Sequence, residues 1–201
     1  MTVTDQSLEI LRECHQGGTS VMFSGDGVDI VFQTQIVEIG NDHVALINKV
    51  PPEHIRAMMN SKQFGLQSKM LRFQSTTIST NGEQILFPLA ELDEIEETRQ
   101  AERFPFDADE RVICELVNPF DRETVLSKGV LDMSATGISL RSPIASSLFK
   151  PGTVFKDVKV IIDGEPYTKT AASVVYTRKL MDLNGKLRVQ VGFKFEPISD
   201  T

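Results

Sequence analysis

RVICELVNPFDRETVLSKGVLDMSATGISLRS, residues 111–142, consists of three short runs rich in β-branched and apolar residues, RVICELV, VLSKGVLDM and GISLRS. Asn118-Pro119 separates the first two, because proline ends a strand and asparagine supplies a turn. Downstream the same pattern resumes as TVFKDVKVIID, YTKTAASVVYTRKL and KLRVQVGFKFEP, with turn signals at Pro151-Gly152, Asp163-Gly164 and Asn184-Gly185. Six strands of this length, with no long helical pattern among them, predict a closed β-barrel.

Upstream lies ELDEIEETRQAERFPF, strongly charged and placed between two strand-rich regions, which predicts an interdomain linker. Before it, Ser7 to Cys14 has apolar residues at helical spacing ahead of Gly17-Gly18, and Pro51-Pro52 opens a second short helix with Ile55, Met58 and Met59 towards a core. TSVMFS, VDIVFQTQIVEI and HVALIN, cut by Gly25-Asp26-Gly27 and Gly40-Asn41-Asp42, are strands of a meander. KMLRFQSTTIS and EQILFPL form a hairpin about Asn81-Gly82, whose two residues would carry the positive φ angles. Phe23, Phe32, Phe64 and Phe73 belong to the core. The fold class is mainly β: a split-barrel-like N-terminal domain over 1–92, a hinge over 93–103, and a six-stranded barrel over 104–201.

The 201 residues are 40% hydrophobic and 24% charged, an ordinary globular composition. The net charge of −7 argues against binding a nucleic acid polymer or an anionic bilayer, since neutralising many phosphates needs a basic face. Charge is uneven: 6 basic against 12 acidic residues up to Ile95, net −6, and 15 against 16 beyond it, net −1. An anion site therefore belongs downstream. Neither a basic-then-apolar leader nor an 18-residue apolar run is present, so the expectation is a cytoplasmic chain without membrane insertion. Cys14 and Cys114 lack any CxxC or Cys/His spacing, which excludes a structural zinc site and a disulfide framework.

Two constellations carry chemistry. Arg99-Gln100-Ala101-Glu102-Arg103 has the form RxxxR, and Asp132-Met133-Ser134-Ala135-Thr136-Gly137 the form DxSxxG. A guanidinium grips a phosphate or the O6/N7 edge of guanine bidentately and stacks on a purine. Asp132 can accept from guanine N1-H and N2-H, Ser134 offers a hydroxyl, and Gly137 permits close approach. Taken singly, each has a plainer explanation: RxxxR as a solvated charged surface with i, i+4 contacts, DxSxxG as a turn capped by its own side chains. Together and in this order they suit a guanine nucleotide.

With these residues the chain resembles the PilZ domain family, bacterial receptors for cyclic di-GMP whose signatures are RxxxR and [D/N]xSxxG. The resemblance covers roughly residues 96–196 and includes the closing VQVGFKFEP. It implies a six-stranded barrel, a ligand-binding set of Arg99, Arg103, Asp132, Ser134 and Gly137, cyclic di-GMP as ligand, and no cofactor, metal or catalytic residue. The preceding β-rich domain resembles, in architecture, the flagellar-brake type, which implies a switch in which ligand reorients two domains and Glu96, Glu97 and Glu102 pair the arginines before it binds. Thr98 stands where many relatives have a further arginine, leaving one or two dinucleotides per site open. The implied partner is an unidentified protein, and monomer and dimer both remain open.

Two rivals stand beside this expectation: a PilZ-like interaction module that binds no nucleotide, and a flavin-binding split-barrel enzyme. No Walker loop, GxGxxG or GxSxG occurs. Cys14-His15, His43 and His54 have no catalytic or metal-ligand spacing, and Arg141 and Arg178, which could supplement the phosphate contacts, are expected to be ordinary surface cations at strand ends.

Overall fold

The computed structural model describes residues 3–68, 71–95, 103–106, 111–142 and 147–196. Of the described residues 56% are strand and 15% helix, and contacts divide the chain into two units, Met1–Thr98 with Leu180–Leu187, and Arg99–Lys179 with Arg188–Thr201.

The first unit opens with α1 (Asp5–Gln16), where the Thr4 side chain caps the Ser7 amide, Gly17 ends the helix, and Leu11 and Cys14 face inward. Its strands are β1 (Ser20–Gly25), β2 (Ile30–Ile39), β3 (His43–Ile47), β4 (Phe64–Gln67), β5 (Arg72–Ser75), β6 (Ser79–Thr80), β7 (Gln84–Pro88) and β8 (Asp93–Ile95), with α2 (Pro52–Met59) between β3 and β4. They pair in the order β6-β7-β3-β2-β1-β4-β5-β8. Residues 32–35 of β2 pair with β1, and its C-terminal end pairs with β3 after a register shift between Ile36 and Glu38. One strand thus serves both halves of a split, curved sheet, since a bulge bends the strand that carries it.

Strict alternation of buried and half-buried residues along β1 sends Val21 and Phe23 into a core shared with Phe32, Phe64, Phe73 and Phe87. Phe23 packs edge-on against Phe87, ring centroids 5.7 Å apart. Three expectations are corrected here. Met59 is 41% exposed while Met58 is buried, because consecutive helical residues point about 100° apart and only one can face the core. The segment expected as one long hairpin arm splits into β5, which pairs with β4 and β8, and β6, the part that pairs with β7. In that turn only Gly82 has a positive φ, 95°, since the Asn81 Oδ1 accepts from the Glu83 and Gln84 amides and closes the turn through its side chain.

The second unit contains β9 (Phe104–Pro105), β10 (Val112–Val117), β11 (Val125–Ser134), β12 (Gly137–Ser142), β13 (Val154–Ile162), β14 (Glu165–Met181) up to Lys179 and β15 (Leu187–Glu196) from Arg188. The order β13-β10-β11-β12-β15-β14 is closed by β13–β14 pairing, giving the expected six-stranded barrel. Phe149, Phe155 and Phe193 fill it, with centroids 5.6 to 6.1 Å apart. Asp163 and Gly164, with φ of 51° and 87°, make the tight β13–β14 turn that their sequence signalled.

Candidate functional site

Strand β11 carries an irregularity at the sequence that matters. Val130 pairs with Leu140 and Asp132 with Ser139, so Leu131 is an extra residue. Its carbonyl, freed from the β12 ladder, accepts the Phe106 amide at 2.9 Å. Short strand β9 lies along the same stretch, Pro105 opposite Asp132 and Phe104 opposite Met133. The backbone on either side of this bulge thereby fixes the chain just after Arg103 beside Asp132.

Arg103 Nη1 donates to Asp132 Oδ1 at 2.6 Å, with side chains 22% and 19% exposed respectively. Burial works against the guanidinium charge, but the Asp132 carboxylate and a hydrogen bond with Tyr176 more than offset it and hold Arg103 above its ordinary pKa. Each carboxylate oxygen has two lone pairs, so Asp132 keeps acceptor capacity beyond the Arg103 contact. Such a pair, partly open to solvent, can present a bidentate donor and a hydrogen-bond acceptor to one polar planar ligand.

Ser134 and Gly137 lie at the end of the same hairpin, paired across the two-residue turn between β11 and β12. Ser134 is buried, and its Oγ accepts the Thr136 amide at 3.3 Å. A Cβ on Gly137 would stand 2.2 Å from the Phe193 carbonyl oxygen, so the glycine is required by the approach of β15. The structure brings Arg103 and Asp132 together and places Ser134 and Gly137 in the adjoining turn. Arg99, Thr98, Glu96, Glu97 and Glu102 lie outside the described residues.

Residues that sequence reasoning did not select adjoin this site. Ser139 Oγ donates to Asp132 Oδ2 at 2.5 Å, Gln190 Nε2 donates to Ser139 Oγ at 3.0 Å, and Arg178 Nε donates to Gln190 Oε1 at 2.6 Å. Arg178 also sits over the Tyr176 ring, 5.8 Å from its centroid, and is no plain surface cation. Ser139 and Gln190 lie in strands that also carry other polar residues, Arg141 and Ser142 in one and Arg188 and Lys194 in the other, so no local signal singled them out. Among the described residues, no group of three His, Cys, Asp or Glu side chains could hold a metal ion, and no helix is long and apolar enough to cross a membrane.

The family model described as PilZ domain matches residues 97–201. The chain belongs to the PilZ domain family. No curated protein matches it. Solved structures of similar fold include the MrkH–c-di-GMP complex of K. pneumonia, 14% identical with a TM-score of 0.69, over 97% of this chain and 87% of that one. Another is YcgR of Escherichia coli in complex with c-di-GMP, 14% identical with a TM-score of 0.56, over 99% of this chain and 85% of that one. At this identity the likeness is one of fold, and it extends beyond the PilZ barrel to the N-terminal unit.

Proposed function

We propose that this PilZ protein is a non-enzymatic, cytoplasmic receptor for cyclic di-GMP. The observation that carries the proposal is the Arg103–Asp132 pair, held at the edge of the barrel by the β11 bulge and still partly open to solvent. Its ligand chemistry is that of a guanine nucleotide: a guanidinium for phosphate or the O6/N7 edge, and a carboxylate for N1-H and N2-H. The MrkH and YcgR structures of similar fold are complexes with c-di-GMP, which supports the same ligand here.

In this proposal Arg99 and Arg103 clamp the dinucleotide, Asp132 and Ser134 contact its polar edges, and Gly137 lets it approach. Residues 93–103 act as the hinge between an interaction domain over 1–92 and the barrel over 104–201. Ligand bound by the hinge arginines shifts the two domains towards a new orientation that signals to a protein partner, with motility or exopolysaccharide as the output. Calorimetric titration of cyclic di-GMP, with GTP as control and the Arg99→Ala/Arg103→Ala variant beside it, tests this. Saturable binding by the wild type alone supports the proposal, and the ratio at saturation distinguishes one dinucleotide from two.

One observation favours a second reading, an interaction module without nucleotide. Ser134 and Gly137 are both accounted for by the turn and by β15, and so need no ligand to explain them. A folded wild-type protein that gives no heat at several temperatures would favour that module.

A further inference from the structure

Ser139 is 0% exposed and Gln190 3%, and both belong to the second unit, as do Asp132 and Arg178. Burying a hydroxyl and an amide is costly unless each is hydrogen-bonded, and here they bond in a single line. The direction of that line follows from its ends. Arginine has donors only, so Arg178 Nε requires that the Gln190 carbonyl oxygen face it. The Gln190 amide nitrogen must then point to Ser139 and donate, which leaves the Ser139 hydroxyl hydrogen for Asp132, an acceptor when ionised. Each neutral group is polarised the same way, and an interior of low dielectric strengthens such a chain.

We infer that Ser139, Gln190 and Arg178 form a positioning relay that fixes the Asp132 carboxylate for its contact with guanine. The inference rests on the cyclic di-GMP reading above and adds the means by which that site tells guanine from other bases. Arg103 restrains one carboxylate oxygen and Ser139 the other, so the plane of the group is set from both sides. Release of the Ser139 side lets Asp132 turn about its χ2, and a turned carboxylate no longer meets N1-H and N2-H together. The phosphate contacts of the arginines are unaffected by that rotation. The relay therefore governs the choice of base more than the total affinity.

The test compares calorimetric affinities for cyclic di-GMP and for its analogue with hypoxanthine bases, which lack the N2 amine. Gln190→Glu keeps the size and the Arg178 contact but removes the donor to Ser139. Arg178→Met, at a half-buried position, removes the terminal donor and lets Gln190 flip. Wild type is expected to prefer guanine, and both folded variants to lose about tenfold of that preference. A direct Arg178–phosphate contact would weaken both ligands equally and leave the ratio unchanged, so an unchanged ratio in both variants overturns the relay. Should Gln190→Glu melt below the assay temperature, Arg178→Met decides alone. Failure of wild type to bind either dinucleotide defeats the receptor proposal itself, an outcome separate from binding with an intact ratio.

Discussion

Asp132 and Ser139 face each other across β11 and β12 immediately past the extra residue Leu131, and the serine hydroxyl meets the carboxylate at 2.5 Å. Were Leu131 paired in the regular ladder instead of bulged, it would take the place opposite Ser139 and Asp132 would pair with Ile138 on the other face, because cross-strand partners share a face and side chains alternate with a period of two. The DxSxxG element thus depends on a bulge to aim its first residue, and the aim has measurable consequences.

Replacing Arg103 by alanine removes a charge-assisted contact to the proposed anionic ligand. Cyclic di-GMP affinity should drop by about ten- to a hundredfold, as expected for about 1.5 to 3 kcal/mol. Thermal unfolding checks that the variant is folded, with a modest fall in Tm expected, since Asp132 keeps Ser139 but loses its cation. Wild-type affinity in a folded Arg103→Ala protein would remove Arg103 from the site.

Gly137→Ala should damage the barrel before it damages any ligand contact. Its Cβ would lie 2.2 Å from a backbone oxygen of β15, so the strand pairing itself must move. Overpacking of this kind costs typically about 1 to 3 kcal/mol, and the melting temperature should fall by several degrees in the absence of ligand. An unchanged Tm would show that β15 yields freely.

Cys114 is 0% exposed inside the barrel, and burial, followed by the Glu115 charge, pushes its thiol up to about 12. In the unfolded chain the thiol ionises near its ordinary value of 9.0, so between that pH and about 12 the folded state holds a proton that the unfolded state has lost. Stability should therefore fall as pH rises from 9 towards 12, and the slope should shrink in Cys114→Ala. A disulfide-exchange reagent at pH 8 should leave Cys114 unmodified in native Cys14→Ser protein and modify it only after unfolding.

Asp121 organises the loop between β10 and β11 by accepting from the Glu123 and Thr124 amides, the Thr124 hydroxyl and the Asn118 side chain. The backbone amides, more than the side-chain donors, hold its pKa below the ordinary 3.8. Its contribution is present above the unfolded value and is lost as pH falls through the lower folded value. Amide exchange at Glu123 and Thr124 should accelerate in Asp121→Ala at neutral pH, and the wild-type loop should stay protected until pH falls below 3.8.

The barrel was legible because its signals are local. Alternating apolar residues and turn pairs such as Asp163-Gly164 act within a few positions of one another, and the closed order of β10 to β15 follows from strands that must bury one face. RxxxR and DxSxxG were equally visible, and their order indicated the family. Local patterns failed where two neighbours compete, as with Met58 and Met59, and where a side chain closes a turn, as Asn81 does.

What only the tertiary structure decided is which groups meet. Arg103 and Asp132 are 29 positions apart, and Ser139 and Gln190 are 51 apart, so their hydrogen bonds exist because β9 pairs with β11 and β12 with β15. Nothing in residues 137–142 distinguishes Ser139 as a carboxylate partner from a serine on an outer face, and Arg178 looks like any cation on a strand. Strand pairing across β11, β12, β15 and β14 turns these separate polar residues into one directed chain, because a buried polar group is tolerated only with a partner and that pairing supplies it.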